Sequence, residues 1–487
     1  MAEHVFTASI FVLCKKRELG YVDVMQEASR EKCTGCAKLE RELADLRKRV
    51  AELTQKLEEK SRAQKRQAAP FRRPKKTGEK KRPGRKGGHE QQSRPEPTVD
   101  QIDRILEASV DVCPQCQGAL EDIVTHVQFQ TDIPPIQPTV TQINVQVGYC
   151  PCCHLRVQGA HPEQTSQSLG AAAHALGARA IAFAADMKYR LGMPFRKISD
   201  FLKTAFGLNC SASALCRATQ RLAHRSRDIL ECLKLQISCR SVVQADETGW
   251  WMNGDGRYLH VFGVDDIVIF QVGDRSHQVA LDVLGSDFRG LVVCDGYVVY
   301  DIFETARCNA HPIRRVRDLL ESSTSDQPSL REIQILLGDG LALRDRRDEL
   351  TAAGYQRLVT MHKRRFANWI ASHQQNTDET VGRLARHLGK YELEFLRYLE
   401  DPTIPATNNF AEGLLRFAVV LRKIGCCNRT ERGVKTFEVL SSLLATFRRR
   451  GLDFADWVID FLTGSGPKYV PPDLLPPGFT SKILLNT

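Results

Sequence analysis

The spacing of apolar side chains divides this chain into stretches of different period. From Leu39, apolar residues recur at Leu43, Leu46, Val50, Leu53 and Leu57, in alternating steps of four and three with charges between them. That heptad seam predicts a short dimerising coiled coil or an amphipathic helix packed on its own chain. Residues 171–190 are rich in Ala and read as a helix, after which Phe195, Ile198, Phe201 and Leu202 fall on one helical face. Phe206-Gly207-Leu208-Asn209 makes a turn, and Ser211 can cap a helix running through Leu222. Helix, glycine turn and capped helix is the pattern of a helix-turn-helix, and also of an ordinary helical hairpin.

At Ser241 the period changes. Val242-Val243-Gln244-Ala245 is a β-rich run that stops at Asp246-Glu247-Thr248, and short runs around Tyr258-Leu259-His260-Val261 and Ile267-Val268-Ile269-Phe270 predict an antiparallel meander. Residues 276–284 read as a helix, and a buried strand Leu291-Val292-Val293-Cys294 then ends on Asp295-Gly296-Tyr297. Two carboxylates at the ends of neighbouring strands form the corner of a divalent-cation site built of oxygen ligands. A third acid is expected to complete it. Helix-like periodicity fills 316–400, and a loop at 402–409 opens a further helix at Phe410-Ala411-Glu412, where Glu412 meets that expectation. Arg416, one turn on, shares its face and can steady the carboxylate or a DNA phosphate. A helix also starts near Cys308-Asn309-Ala310-His311, where His311 taken alone reads as structural.

Length adds that 487 residues exceed one compact core, so two to four domains are expected. Charge adds more. The formal net charge is +11, yet 60–94 alone holds fourteen Lys and Arg against Glu79 and Glu90, an excess of twelve that leaves the remainder near −1. The arm contains Lys75, Lys76, Lys80, Lys81, Arg82, Arg85 and Lys86 among prolines and glycines. Such a segment does not fold alone, and it predicts salt-dependent, sequence-independent affinity for nucleic acid. No stretch approaches ~20 uninterrupted apolar residues, so no membrane span is expected. The apolar run 5–14 has no basic residue before it, so it does not read as a secretion signal, and a reducing, cytosolic compartment fits the sixteen cysteines.

Some of those cysteines have metal-ligand spacing. Cys113-Pro114-Gln115-Cys116 and Cys150-Pro151-Cys152-Cys153 flank an insert with two strand-like runs, 124–129 and 140–147. Paired C-x-x-C motifs around a hairpin-sized insert suit one structural zinc ion held by Cys113, Cys116, Cys150 and Cys153, with Cys152 or His154 as weaker substitutes. Cys33 and Cys36 form a third C-x-x-C without a partner pair and read as two plain thiols.

Asp246-Glu247-Thr248, Asp295-Gly296-Tyr297, Cys308 with His311 and Arg315, and Asn408-Asn409-Phe410-Ala411-Glu412 followed by Arg422-Lys423 together resemble the transposases of the insertion sequence 66 family. The leucine-rich helix, the paired C-x-x-C module and the helix-turn-helix belong to the same pattern, so the resemblance covers roughly 39–462. It implies a multidomain α/β protein with a ribonuclease-H-like catalytic core, interrupted by a helical insertion. Preceding that core would be a coiled-coil helix, a zinc-binding β module and a helix-turn-helix region. It also implies an Asp-Asp-Glu site in which Asp246, Asp295 and Glu412 hold two magnesium ions, manganese being able to substitute. His311, Arg315, Arg416, Arg422 and Lys423 would join the basic arm in contacting DNA. The implied partners are double-stranded DNA, further copies of the chain and accessory proteins of the same element, in a bacterial cytoplasm at the nucleoid. One departure is visible: after Lys423 stands Ile424-Gly425-Cys426-Cys427-Asn428-Arg429, where the family shows an aromatic-containing run. Two alternatives stay open, a non-catalytic DNA-binding descendant of a transposase and a structure-specific nuclease of the same fold.

The expected division is an unassigned segment 1–36, the leucine-zipper-like helix 37–60, the basic disordered arm 61–98 and the zinc module 99–166. There follow the helix-turn-helix region 167–238, the first catalytic part 239–315, the helical insertion 316–401, the second catalytic part 402–465 and a loose tail 466–487.

Overall fold

The computed structural model describes residues 95–170, 173–322, 326–425 and 427–464, together with the isolated positions 45, 46 and 49. The heptad seam apart from Leu46, the thiols Cys33 and Cys36, the basic arm and the C-terminal tail lie outside the described residues. Two compact units divide the chain, Met1–Gln130 and Thr131–Thr487. Among the described residues no helix is long and apolar enough to cross a membrane.

Apart from the helical positions 45, 46 and 49, the described part of the first unit has little regular structure beyond a short 3-10 turn at Val99–Gln101 and an isolated antiparallel bridge, Val112 to Ala119, around Cys113 and Cys116. In the second unit, β1 (Val147–Tyr149) and β2 (Arg156–Gln158) pair antiparallel around Cys150 and Cys153. Neither of the strand-like runs 124–129 and 140–147 is a strand, except that Val147 opens β1. Val124, Val127 and Val140 are 69%, 77% and 90% exposed. With no layer to bury them, β-branched residues do not by themselves make a strand.

Four helices lead to the sheet: α1 (Ala178–Tyr189), α2 (Phe195–Phe206), α3 (Ala212–Arg225) and α4 (Arg227–Ser238). Helix α1 begins later than its Ala-rich composition suggests, with Gly177 at its N-cap. Between α2 and α3, Gly207 takes φ 68°, a left-handed conformation that suits glycine, and Ser211 accepts the Ala214 N–H at 3.1 Å. Ile198 and Leu202 are buried as the helical periodicity requires, whereas Phe201 remains exposed.

The central sheet comprises β3 (Val242–Met252), β4 (Asp255–Gly263), β5 (Val268–Gly273), β6 (Leu291–Cys294) and β7 (Glu304–Arg307), in the order β5-β4-β3-β6-β7. The first three are antiparallel, β6 runs parallel to β3, and β7 runs parallel to β6. A short α5 (Gln278–Leu284) joins the two halves. Strand β3 does not stop at Asp246, as the acid had suggested. It continues to Met252, paired opposite Asp255. The reason is the Asn253-Gly254 loop, whose φ values of 51° and 96° give the left-handed turn that closes a two-residue hairpin.

After β7 come α6 (Ala310–Ser322), α7 (Gln327–Asp345), α8 (Ala352–His373), α9 (Glu379–Lys390) and α10 (Glu392–Glu400), the helical stretch that periodicity had indicated. Strand period two then divides the core. Val292 and Cys294 of β6 join the main cluster, while Leu291 and Val293 join a second cluster with Leu330, Phe366, Trp369 and Leu388 of the helical stretch. Helices α11 (Asn409–Gly425), α12 (Glu431–Arg449) and α13 (Phe454–Thr463) complete the main core. Gly263 allows α11 to approach β4, since a Cβ there would stand 2.8 Å from both Leu414 Cδ1 and Phe410 Cε1.

Strand β5 is one edge of the sheet, and α12 covers it with polar groups. Thr446 Oγ1, Ser442 Oγ and Glu438 Oε1 accept the N–H groups of Val268, Phe270 and Val272 at 3.0, 2.9 and 2.8 Å. Residues four apart on a helix share a face, and residues two apart on a strand direct their N–H groups the same way.

Candidate active site

In the parallel pairing of β3 with β6, Val242 faces Leu291 and Gln244 faces Val293. The same register carried two residues further brings Asp246 level with Asp295, on one face. Burial, and next the charge of Asp295, raise the Asp246 carboxyl to about 7, with Glu247 and Glu412 adding to the rise. Against this, the Glu247 N–H donates to Asp246 Oδ1 at 2.9 Å. Asp295 is oriented by its own turn, accepting the Tyr297 N–H on Oδ1 at 2.9 Å.

Glu412 lies in the first turn of α11. Asn408 sets the position of that turn. This buried residue donates Nδ2–H to the Ala245 carbonyl at 2.7 Å and its backbone N–H to Cys308 Sγ at 3.1 Å, while its carbonyl accepts the Glu412 N–H at 3.1 Å. Cys308 in turn donates its N–H to the Cys294 carbonyl at 2.9 Å. Ala245 precedes Asp246 and Cys294 precedes Asp295. One chain of hydrogen bonds therefore runs from the backbone of each aspartate to the backbone of the glutamate. Glu412 itself pairs with Arg314 of α6, and His311 Nε2 lies 3.8 Å from the same oxygen. These side chains, rather than Arg416, stand against the carboxylate.

A residue that motif reading passed over holds the second acid. Arg307, at the end of β7, is almost wholly buried. Its Nη1 donates to the carbonyls of Asp295 at 2.8 Å and Tyr297 at 3.1 Å, and its Nε to Glu394 of α10 at 2.7 Å. It also pairs with Asp301 and stacks 4.4 Å from the Tyr391 ring centroid. The helical stretch thus reaches the backbone of Asp295 through one guanidinium. The run Glu304-Thr305-Ala306-Arg307 lacks an apolar pattern, so neither strand nor arginine stood out.

The remaining basic residues are divided. Arg315, Arg416 and Lys423 are exposed. Arg422 turns inward and donates to the Gly249 carbonyl and, at 3.3 Å, to Thr248 Oγ1. The departure after Lys423 has a structural role: Asn428 Oδ1 accepts the Trp250 indole N–H at 3.0 Å, and its backbone pairs beside Met252.

Each C-x-x-C forms a tight turn in its own unit. Cys113 N–H donates to Gly118 O at 2.9 Å and Gln117 takes φ 62°; Cys150 N–H donates to Leu155 O at 2.8 Å and His154 takes φ 56°. Backbone N–H groups aimed at sulfur, chiefly those of Cys116 and Cys153, lower the thiol pKa of Cys113 and Cys150 respectively. That favours the thiolate, the metal-binding form.

A family model described as transposase IS66 family matches residues 174–436, from just before α1 into α12. All three acids fall inside the match, and both C-x-x-C turns fall outside it. Two similar chains from Sinorhizobium fredii carry the names uncharacterized protein y4jD and uncharacterized protein y4qI. The first is 23% identical over 403 residues, covering 75% of this chain and 76% of its own. The second is 22% identical over 326 residues, covering 58% and 59%.

Proposed function

This chain belongs to the transposase IS66 family, and from that premise we propose that it binds the terminal inverted repeats of an insertion sequence, cleaves the ends and joins them to target DNA. Water would attack the phosphodiester at the element end, leaving a 3′-hydroxyl. That hydroxyl would then attack a target phosphodiester and displace the target's own 3′-oxygen.

The observation that carries this reading is the convergence of Asp246, Asp295 and Glu412, where burial first, and then the charges of Asp295 and, to a lesser extent, Glu412, lift the Asp246 carboxyl to about 7. Carboxylates crowded to that degree fit a divalent cation, which relieves their repulsion, and oxygen-only donors suit magnesium or manganese. Asp246, Asp295 and Glu412 would hold two such ions, which when bound supply charge neutralisation at the attacking and departing oxygens. The chain's own contribution is placement: Asn408 sets α11 against β3, and Arg307 fixes the turn that carries Asp295. The mixed sheet with acids on adjacent strands supports a ribonuclease-H-like core. Thiolate-favouring turns support structural zinc at the pairs Cys113/Cys116 and Cys150/Cys153. For DNA contact, the basic arm, the α2–α3 pair and exposed Arg315, Arg416 and Lys423 are the assigned elements, with His311 beside Glu412. Arg422, bonded to β3, would act through the hairpin. Pairing two ends calls for more than one copy of the chain.

The test is cleavage and strand transfer on labelled DNA carrying the flanking inverted repeats, with magnesium. Wild-type protein is expected to nick at the repeat ends, and Asp246→Asn and Glu412→Gln to bind the same DNA without nicking it. Normal cleavage by Asp246→Asn would overturn the site assignment. Cleavage indifferent to the repeats would favour a structure-specific nuclease, and salt-sensitive binding without any cleavage a non-catalytic DNA-binding protein.

A further inference from the structure

Cys308, His311 and Glu412 each place one ligand atom within 4.8 Å of the others. Two separately anchored pieces of backbone bring them there, the β7–α6 junction with Cys308 and His311 and the first turn of α11 with Glu412. Cys308 follows β7 and is tied to β6 through the Cys294 carbonyl, His311 lies in the first turn of α6, and Glu412 in the first turn of α11. The thiol is buried, with the Asn408 N–H on its sulfur at 3.1 Å. His311 Nδ1 is buried and has no hydrogen-bond partner, while Nε2 lies 3.8 Å from Glu412 Oε1.

The geometry is carried by Nε2, the nitrogen that faces Glu412, and the chemistry of the three donors decides which ion they suit. Thiol, imidazole and carboxylate are not what magnesium takes, since it selects oxygen and keeps several waters. They are the mixed set that suits zinc, at about 2.3 Å to sulfur and about 2.0–2.2 Å to nitrogen and oxygen. We propose that Cys308, His311 and Glu412 form a binding site for a thiophilic divalent ion of the zinc class, and that filling it inhibits DNA cleavage by drawing Glu412 away from Asp246 and Asp295. The inhibitory half rests on the transposase reading of Glu412; the binding half does not.

On binding, the ion takes the Cys308 sulfur as thiolate and its proton passes to solvent, with no change of oxidation state. Three protein ligands leave a fourth position for water. Arg314, paired with Glu412 and 43% exposed in its side chain, is free to swing outward as the ion arrives. A buried protonated thiol holds the ion more weakly than exposed paired thiolates do, so this site fills after the C-x-x-C pairs.

Cobalt(II) reports a thiolate ligand through a near-ultraviolet charge-transfer band. Full-length protein, purified with zinc and freed of loosely held ion, is titrated with cobalt(II). One further equivalent carrying a single-thiolate band is expected in wild type and absent in Cys308→Ser, whose hydroxyl can still accept the Asn408 N–H. His311→Gln, which leaves the sulfur untouched, is expected to weaken cobalt binding at least tenfold and so guards against misfolding of the serine variant. An unchanged band in Cys308→Ser, or no further equivalent in wild type, overturns the site. Zinc is then added to magnesium-supported cleavage, each protein being compared with its own zinc-free rate. A tenfold or greater inhibition of wild type, against a ratio near one for Cys308→Ser, supports the inhibitory role. Equal inhibition of both overturns it. A wild type that cleaves nothing with magnesium alone sinks the transposase reading and leaves the cobalt result to decide the site.

Discussion

Asp246 and Glu247 are adjacent on β3 and have opposite surroundings. Strand alternation sends them to opposite faces. Glu247 is closed in by Arg275 at 2.9 Å and the Tyr300 hydroxyl at 3.4 Å, and Arg275 is stacked between Tyr258 and Tyr297. Asp246 meets Asp295 and Glu412 instead, and burial together with those charges holds its carboxyl at about 7 where an exposed aspartate sits near ~3.9. The sign follows: the folded, metal-free protein favours the protonated acid, so the associated stability is complete below ~3.9 and is lost as pH rises through about 7. Cations require the ionised acid, so their affinity runs the other way. Manganese binding, followed by calorimetry, is expected to weaken by about tenfold per pH unit below 7 and to level off above it. In Asp246→Asn that dependence should vanish, and a flat profile in wild type would show that Asp246 does not control binding. The three acids were legible in the sequence because each follows a recognisable β run or opens a helix. Asn408 was legible only as a loop residue, since its partner Ala245 lies 163 positions away and nothing local marks the bond.

Among the elements, long periodic helices were the most legible and short strands the least. The stretch from α6 to α10 emerged where leucine and arginine periodicity placed it. Strand β7 did not, because four residues with one buried arginine carry no period. The length of β3 is written in Asn253-Gly254, a hairpin signal that lies seven residues beyond the acid at which the β-branched run stops. The strands expected between the two C-x-x-C motifs failed for the reverse reason, apolar residues without a layer to cover them. Nothing in the sequence of α12 advertised that Glu438, Ser442 and Thr446 serve a strand, since polar residues four apart usually mean a solvated face. Ser442→Ala should leave the buried Phe270 N–H without its acceptor and cost about 1–3 kcal/mol in denaturant unfolding. A change within ~0.5 kcal/mol, the range of an ordinary surface substitution, would mean the bond contributes little.

For the whole molecule, charge and chemistry occupy different parts of the chain. The acids lie within 174–436, while an excess of twelve positive charges lies in 60–94. Affinity for DNA and the capacity to cut it should therefore separate. Deleting 60–94 is expected to flatten the dependence of log affinity on log salt by about 0.9 for each phosphate the arm no longer neutralises, without removing magnesium-dependent nicking at saturating protein. An unchanged slope would show that the arm does not meet the DNA backbone. At this scale α12 and β5 also behave as two rulers with unequal graduations. Four helical residues advance about 6.0 Å while two strand residues advance about 6.8 Å, a slippage of roughly 0.8 Å at every rung. Across three rungs the offset reaches about 1.6 Å, and the longest acceptor, Glu438, stands at one end, where its reach bridges that offset at 2.8 Å. A longer β5 would outrun its helix and bare an amide to any passing strand. Half of the amides of that six-residue strand are thus closed off by a helix more than 160 positions away.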